Sequence, residues 1–373
     1  MSSEIPGPWL RRPISVGILL LAGLLVPFIS PIALIVALVV DVVTRTPRLR
    51  RTRGVALVSG LIVVDAVGRV LIFGNWVISP FGTNVWGIKS QRRLRWLMTW
   101  WASTMMRVIS RITPLPIDTS ELDESLLGGN AIVIGRHRSF LDALVPASLF
   151  GQRGLTTLYT MKEELRWEPN LDIVGQRMGH VFVSRSPDDL EAELAPIREL
   201  GARIGEKVNG VIFPEGTFFS PERKARALAS IAEKNPERIP WSETMDYVLP
   251  PRPAGTVAFL EGAPDADVIM LGHVGFEPFG TLKEIAANMG ATHSIRLKAW
   301  RYPRSEVPTD RDDLIEWLFA KWNELDDWIA SHHPLAGYEI ATADTPENID
   351  LRYPSAENAT AETGEQNVQS WGV

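Results

Sequence analysis

The 373-residue sequence has no cysteine. This excludes a thiol nucleophile, a zinc–thiolate site and disulfides, and it fits a reducing compartment. Basic charge is not in excess either. Lys and Arg number 38 against 44 Asp and Glu, a formal net charge of −6, so nothing points to nucleic acid. Charge of either sign is missing altogether from Pro13 to Val40. That run exceeds the roughly 20 apolar residues that cross a bilayer's hydrocarbon core.

Against these absences stand 45% apolar residues and thirteen tryptophans, an abundance typical of chains that meet a membrane interface. The length allows two ordinary domains or one larger α/β domain with appendages.

The uncharged run is interrupted by Pro27-Phe28-Ile29-Ser30-Pro31. It reads as one kinked spanning helix or as a hairpin turning at the prolines. Arginines flank both ends (Arg11 and Arg12, then Arg45 to Arg53), and basic residues on both sides favour the hairpin. The run is too long for a signal-peptide core and lacks a small-x-small cleavage site. A second apolar stretch from Gly54 to Phe73 carries Asp65 and Arg69 at i, i+4. They either neutralise each other or keep the segment shallow in the interface. Residues 1–80 are therefore expected to be membrane-embedded. Residues 81–114 hold an amphipathic helix, Gln91 to Ile112, whose Trp96, Trp100 and Trp101 alternate with arginines. It is either a core helix or one lying on anionic lipid.

From about residue 115 to 300, short apolar runs alternate with helical patterns, which implies an α/β sheet with helices packed on it. Strands are expected at Ala131–Ile134, Thr157–Thr160, His180–Ser184, Gly210–Phe213 and Val268–Val274. Helices are expected at Phe140–Phe150, Asp188–Lys207, Pro221–Asn235 and Thr256–Glu261. A helix from Asp310 to Ser331 belongs to an extension over 301–338. Residues 339–373 read as a disordered acidic tail.

The chemistry gathers where the strands end. Gly135-Arg136-His137-Arg138-Ser139-Phe140-Leu141-Asp142 follows an all-apolar strand, with Ser139 as N-cap of the next helix. His137 then lies just outside that helix and Asp142 in its first turn. The aspartate can hold one imidazole nitrogen and leave the other to accept a proton, as a general base requires. A capping carboxylate beside a helix-start histidine is the plainer reading of the pair alone. Ser139 is a cap, with a nucleophilic hydroxyl as the alternative. Further on, Arg185 follows one strand and Pro214-Glu215-Gly216-Thr217 closes another. Arg252 sits in the stiff loop Leu249–Gly255. Strand C-terminal ends are where open α/β sheets bind ligands. His180, His273 and His293 show no metal-ligand spacing and read as structural.

Together these blocks resemble the glycerolipid acyltransferase family, whose best-known members make phosphatidic acid from lysophosphatidic acid. His137 and Asp142 match its His-x4-Asp block, Gly179, Phe182 and Arg185 its second, and Phe213-Pro214-Glu215-Gly216-Thr217 its third. Val268 to Val274 is similar to the fourth block without its proline. Lys162, Leu165, Pro169 and the Leu249–Gly255 loop extend the likeness to a subgroup common in eukaryotes. That subgroup's C-terminal extension is also recognisable, with Leu325-Asp326 where Lys-Asp is usual. The resemblance covers about residues 115 to 330.

It implies a mixed sheet flanked by helices with N-terminal hydrophobic membrane helices, and a membrane-bound enzyme whose site faces the cytoplasm. His137 and Asp142 would be catalytic, without a covalent acyl-enzyme. Arg185, Glu215, Gly216, Thr217, Lys162 and Arg252 would bind substrate: Arg185 the acceptor phosphate, the Gly216 and Thr217 amides the same anion, and Glu215 either Arg185 or a glycerol hydroxyl. No metal or cofactor is implied. The partners would be a lysophospholipid acceptor, an acyl thioester donor (acyl-CoA or acyl-carrier protein) and membrane lipids. Another lysophospholipid or glycerol 3-phosphate is an alternative acceptor. A non-catalytic lipid-binding scaffold is the alternative of another class.

Overall fold

The computed structural model describes residues 5–79, 84, 86–113, 116–183, 190–280, 284–285, 288–289 and 294–332. Two long helices lead. The first, α1 (Pro8–Val43), runs unbroken for 36 residues through Pro13, Pro27 and Pro31, so the turn expected at the prolines is not there. The chain reverses instead at Arg45 to Leu49, where Arg45, Arg48 and Leu49 adopt positive φ. The second helix, α2 (Arg50–Ile78), returns along the first. The two approach so closely that a Cβ on Gly23 would clash with the Ala66 methyl. Both helices are long and apolar enough to cross a membrane. α1 leaves Trp9, Leu24, Phe28, Ile32 and Ile35 exposed, apolar surface that a lipid phase would cover. The chain is membrane-associated on this account.

The hairpin is bound to the body at both ends. Near the start of α1, Arg11 and Arg12 reach the buried Asp172 at 3.0 and 2.7 Å. At the start of α2, Arg53 donates to the Ile112 carbonyl at 2.5 Å. Midway, Asp65 pairs with Arg69 at 2.6 Å and accepts from the Trp101 indole at 3.2 Å. Of the two readings of Asp65 and Arg69, neutralisation is the observed one. The next helix, α3 (Ile88–Ile112), buries Leu94, Leu97, Met98, Met105 and Ile109. Its apolar face is therefore core and not a lipid-facing surface, although Trp96 stays 58% exposed.

The body is one seven-stranded sheet built from β1 (Ile117–Asp118), β2 (Ala131–Gly135), β3 (Thr156–Lys162), β4 (Val181–Val183), β5 (Val208–Ile212), β6 (Asp267–Val274) and β7 (Ile295–Tyr302). The order is β1-β7-β6-β2-β5-β3-β4. Every pairing is parallel except β6 with β7, so the sheet is mixed as expected. Its central strands are buried on both faces, which is why they read as continuous apolar runs. Helices α4 (Leu144–Gln152), α5 (Pro169–Met178), α6 (Leu190–Gly201), α7 (Pro221–Lys234), α8 (Ile239–Glu243), α9 (Pro253–Gly262) and α10 (Arg311–His332) flank it. α10 closes one side by burying Leu318, Phe319, Trp322 and Ile329. The acidic tail expected over 339–373 lies outside the described residues.

Candidate active site

The sheet order sets β6, β2 and β5 side by side, and these parallel strands all end at one edge. Gly135 of β2 is level with Leu271 of β6, so two residues further on His137 arrives beside His273. β5 delivers Phe213 and Glu215 on the other flank.

After β2 the chain enters a 3₁₀ turn, Phe140–Ala143, that leads into α4. Ser139 caps it and Asp142 completes a capping box. One oxygen of Asp142, Oδ2, accepts the amides of Arg138 and Ser139 at 2.5 and 2.7 Å. The same oxygen faces His137 Nδ1 at 3.3 Å. Two amides thus fix the carboxylate before the imidazole meets it. The Ser139 hydroxyl is buried and donates to the Phe279 carbonyl at 2.8 Å. The structure makes it a cap and a brace; its proton is already committed.

The second oxygen, Oδ1, lies 3.2 Å from His273 Nε2. Asp142 is therefore held between two imidazoles, one buried and one 19% exposed. Burial pushes the His273 pKa down, against the pull of Asp142. A neutral ring protonated at Nε2 presents that proton to Asp142 and to the Arg136 carbonyl at 3.3 Å. His273, expected to be structural, is buried and touches Asp142.

Two aromatic rings frame His137. Phe213 stacks on it and Phe218 meets it edge-on, both with centroids 4.5 Å away. Phe213 has this room only because position 135 is glycine, where a Cβ would stand 2.7 Å from the phenyl ring.

Glu215 does not reach out toward a ligand. It is buried, with Oε1 accepting the His137 amide at 2.6 Å and Oε2 the Leu249 amide at 3.0 Å. Burial raises its pKa to about 8, opposed by those two amides and by Arg136. Both oxygens are engaged by backbone, so Glu215 braces the His137 segment where a substrate ligand was expected. The Gly216 amide likewise closes its own turn on the Phe213 carbonyl at 3.0 Å, with φ at +65°, so it is not aimed at an anion.

The remaining candidates scatter. Thr217 and Arg252 line, with Glu215, a cavity of about 860 Å³ beside the site. The Arg252 amide is anchored to the Pro214 carbonyl at 2.9 Å. Lys162 is exposed at the end of β3, with β5 standing between it and β2. Arg185 and His293 lie outside the described residues; β4 ends at Val183, two residues short of Arg185. His180 is buried, accepting the Tyr159 amide at Nδ1, 3.0 Å away.

Several supporting residues escaped the sequence reading. Arg136, 1% exposed, donates to the His273 carbonyl at 2.7 Å, Glu277 at 2.6 Å and the Tyr247 carbonyl at 2.9 Å. Asp326 of α10 accepts the amides of Asp246, Tyr247 and Val248 at 2.7, 2.7 and 2.9 Å. Trp322 donates to the Leu249 carbonyl at 3.0 Å. The C-terminal helix thereby fixes the loop that holds Glu215, and Glu215 holds His137. Two signals were available, both local: an arginine directly after an apolar strand, and Asp326 as the matching half of a Lys-Asp pair whose first residue is Leu325.

The arrangement is a partly exposed imidazole backed by a fixed carboxylate, its backbone held by a Glu215 that also lines the cavity. It can take a proton from a hydroxyl placed there.

The chain is similar to known proteins in sequence and in fold. Residues 116–241 match the acyltransferase family model. Lysocardiolipin acyltransferase 1 of Gallus gallus is 23% identical over 291 residues, 74% of this chain and 72% of that protein. The 1-acyl-sn-glycerol-3-phosphate acyltransferase epsilon of Mus musculus is 24% identical over 208 residues, 53% of this chain and 56% of that protein. In fold, the chain is similar to the crystal structure of the 1-acyl-sn-glycerophosphate (LPA) acyltransferase, PlsC, from Thermotoga maritima. The TM-score is 0.50 and the identity 13%, over 75% of this chain and 97% of that one.

Proposed function

We propose that this chain, an acyltransferase belonging to the glycerolipid acyltransferase family, moves a fatty acyl group from a thioester to the free hydroxyl of lysophosphatidic acid, giving phosphatidic acid. The observation that carries the reading is His137 Nδ1 facing an Asp142 carboxylate already fixed by two amides. With Nδ1 turned toward Asp142, Nε2 is left to take the hydroxyl proton as the oxygen attacks the thioester carbonyl. The tetrahedral intermediate then collapses, the carbon–sulfur bond breaks, and the imidazolium returns its proton to the departing thiolate. Asp142 stabilises the imidazolium in between. The scheme transfers acyl directly from sulfur to oxygen and calls for no metal or cofactor. His273 supports it by holding the other oxygen of Asp142.

Arg185 is assigned to the acceptor phosphate and Thr217 to the neighbouring polar wall. Arg185→Ala should then raise KM for the acceptor more than it lowers kcat. The hairpin bears on topology. Both its ends are tied to the body, and α3, which packs against α2, carries arginines near each of its ends. Threading this bundle across a bilayer would bury those charges, so the hairpin is read as entering one leaflet, with the site on the cytoplasmic side.

The test is acyl-CoA–dependent acylation of lysophosphatidic acid by detergent-solubilised protein beside His137→Ala. Released CoA is read with a thiol reagent, to which a cysteine-free protein adds no background. Release that requires lysophosphatidic acid and falls by about 10²–10⁴ in the variant is expected. The lysocardiolipin enzyme among the relatives makes a larger lysophospholipid the second reading. Release with that acceptor alone would select it. Lipid binding without transfer from any thioester would favour a scaffold.

A further inference from the structure

The first 114 residues hold fourteen Lys and Arg against three Asp and Glu, in a chain whose net charge is −6. Several of these cations are spent inside the protein. Arg11 and Arg12 pair with Asp172, Arg53 donates to the Ile112 carbonyl, and Arg93 donates to Asn75 and Ser79. The two acids among residues 5–114 are taken as well: Asp41 faces Arg51 at 3.3 Å and Asp65 faces Arg69 at 2.6 Å. Among the described residues, Arg45, Arg48, Lys89, Arg92 and Arg111 are exposed and meet no carboxylate.

These five are placed in order. α3 buries its apolar face, and Lys89, Trp96 and Arg107 share the opposite one, spaced by about two and three helical turns. Arg92 and Arg111 flank that line, and Trp96 stands exposed among them. Arg45 and Arg48 project from the hairpin turn, both at positive φ. Such backbone strain persists only where the surroundings enforce it. Here the buried Asp41 does so, accepting the Thr52 amide at 2.8 Å and its hydroxyl at 2.9 Å. Arg53, bonded to Ile112, ties the turn to the end of α3 that carries Arg111. The cations thus border the hairpin, whose exposed face is apolar: Leu24, Phe28 and Ile32 on α1, Val67, Val70 and Phe73 on α2.

We infer that this border binds the headgroups of anionic phospholipids, so that the protein docks on a negatively charged leaflet in preference to a neutral one. The inference rests on the hairpin entering one leaflet and is independent of acyl transfer. Charge complementarity names the occupant. An apolar face edged by cations and an exposed tryptophan fits a surface that is hydrocarbon within and phosphate without. A nucleic acid would offer phosphate and leave the apolar face uncovered. The rest of the chain carries the opposite sign, 41 Asp and Glu against 24 Lys and Arg from residue 115 onward. The same surface that attracts the border therefore repels the remainder, which sets the side the protein presents to the lipid.

The experiment is vesicle flotation of the full-length protein, diluted out of detergent onto phosphatidylcholine alone or with roughly 30 mole per cent phosphatidylglycerol. Partition is read over a range of lipid concentrations. At about 0.1 M salt wild type should favour the anionic vesicles by about tenfold or more, and at about 0.5 M that preference should largely vanish. Arg92→Gln/Arg111→Gln should lose most of the preference, since each cation near such a surface contributes about fivefold. Its binding to phosphatidylcholine, which reports the hairpin, should stay within about twofold of wild type. The same charge change on α7, Arg226→Gln/Lys234→Gln in the groove of about 860 Å³ beside Glu215, should leave the preference intact. All four positions are exposed, and thermal melts check the fold. Equal binding to both vesicles, a preference indifferent to salt, an α3 variant that keeps it, or an α7 variant that loses as much would each overturn the proposal. Binding to neither vesicle would sink the one-leaflet reading and the proposal with it, whereas equal binding to both would spare that reading.

Discussion

The rim around His137 and the groove beside it are both dense in charge, and they use it in opposite ways. At the rim, Asp142, Glu215 and Asp326 each accept two or three backbone amides, so every carboxylate is anchored from within. In the groove, cations outnumber acids three to one and line open space. The rim is therefore a fixed frame whose charges set geometry, while the groove gathers positive charge around open space. A change at the rim should cost stability and turnover together. A change in the groove should cost affinity and salt dependence, and leave the fold alone.

The sharpest way to break that contrast is Glu215→Ala. It strips the acceptor from the His137 and Leu249 amides, each loss costing roughly 1–3 kcal/mol when the donor is buried. Denaturant unfolding should show the drop, with acyl transfer falling alongside. A variant as stable as the parent would remove Glu215 from the frame.

Next comes His273→Leu. Loss of the contact on Asp142 Oδ1 should lower kcat by about tenfold, or 1.4 kcal/mol. KM for either substrate should change little, because His273 is buried. A KM effect as large as the kcat effect would mean that the ring only packs.

Acid tests the frame from another side. Burial holds His180 at about 3, far below the ordinary 6.5, and its Nδ1 must stay unprotonated to accept the Tyr159 amide. The unfolded chain takes up a proton that the folded one refuses. Stability is thus complete above pH 6.5 and lost as pH falls toward 3, at a slope approaching about 1.4 kcal/mol per unit. His180→Gln, which keeps an acceptor for that amide, should flatten the slope in melts taken between pH 4 and 7. An unchanged slope would place the titrating group elsewhere.

The smallest effect belongs to Lys162→Ala. The residue is exposed with β5 between its strand and β2, so both kinetic constants should stay within about twofold. A larger rise in the KM of either substrate would extend the binding surface to β3.

The frame was legible wherever its cause was local. Ala131–Ile134 and Val268–Val274 are fully buried strands and read as such, and Ser139 with Asp142 carries its capping pattern within four residues. β7 was missed because Ile295-Arg296-Leu297-Lys298-Ala299-Trp300 alternates polar and apolar residues on a strand buried along one face, so it forms no apolar run. His273 could not be assigned because its neighbour depends on strand order: only the pairing of β6 with β2 brings it to Asp142. The bracing contacts of Glu215 were not legible for a related reason. A motif shows that a residue is present, while its partner Leu249 lies 34 positions along the chain. Asp326 acts across still greater separation, 78 residues or more.

The double attachment of the α1–α2 hairpin, at Asp172 and at Ile112, has a kinetic consequence. If the hairpin enters one leaflet as proposed, the enzyme meets its lipid acceptor by lateral diffusion within that leaflet. The concentration it senses is then a mole fraction in two dimensions and not moles per litre. Diluting the acceptor with inert phospholipid in the same vesicles should slow turnover even when the bulk amount of acceptor is unchanged. Adding more vesicles of the same composition should not.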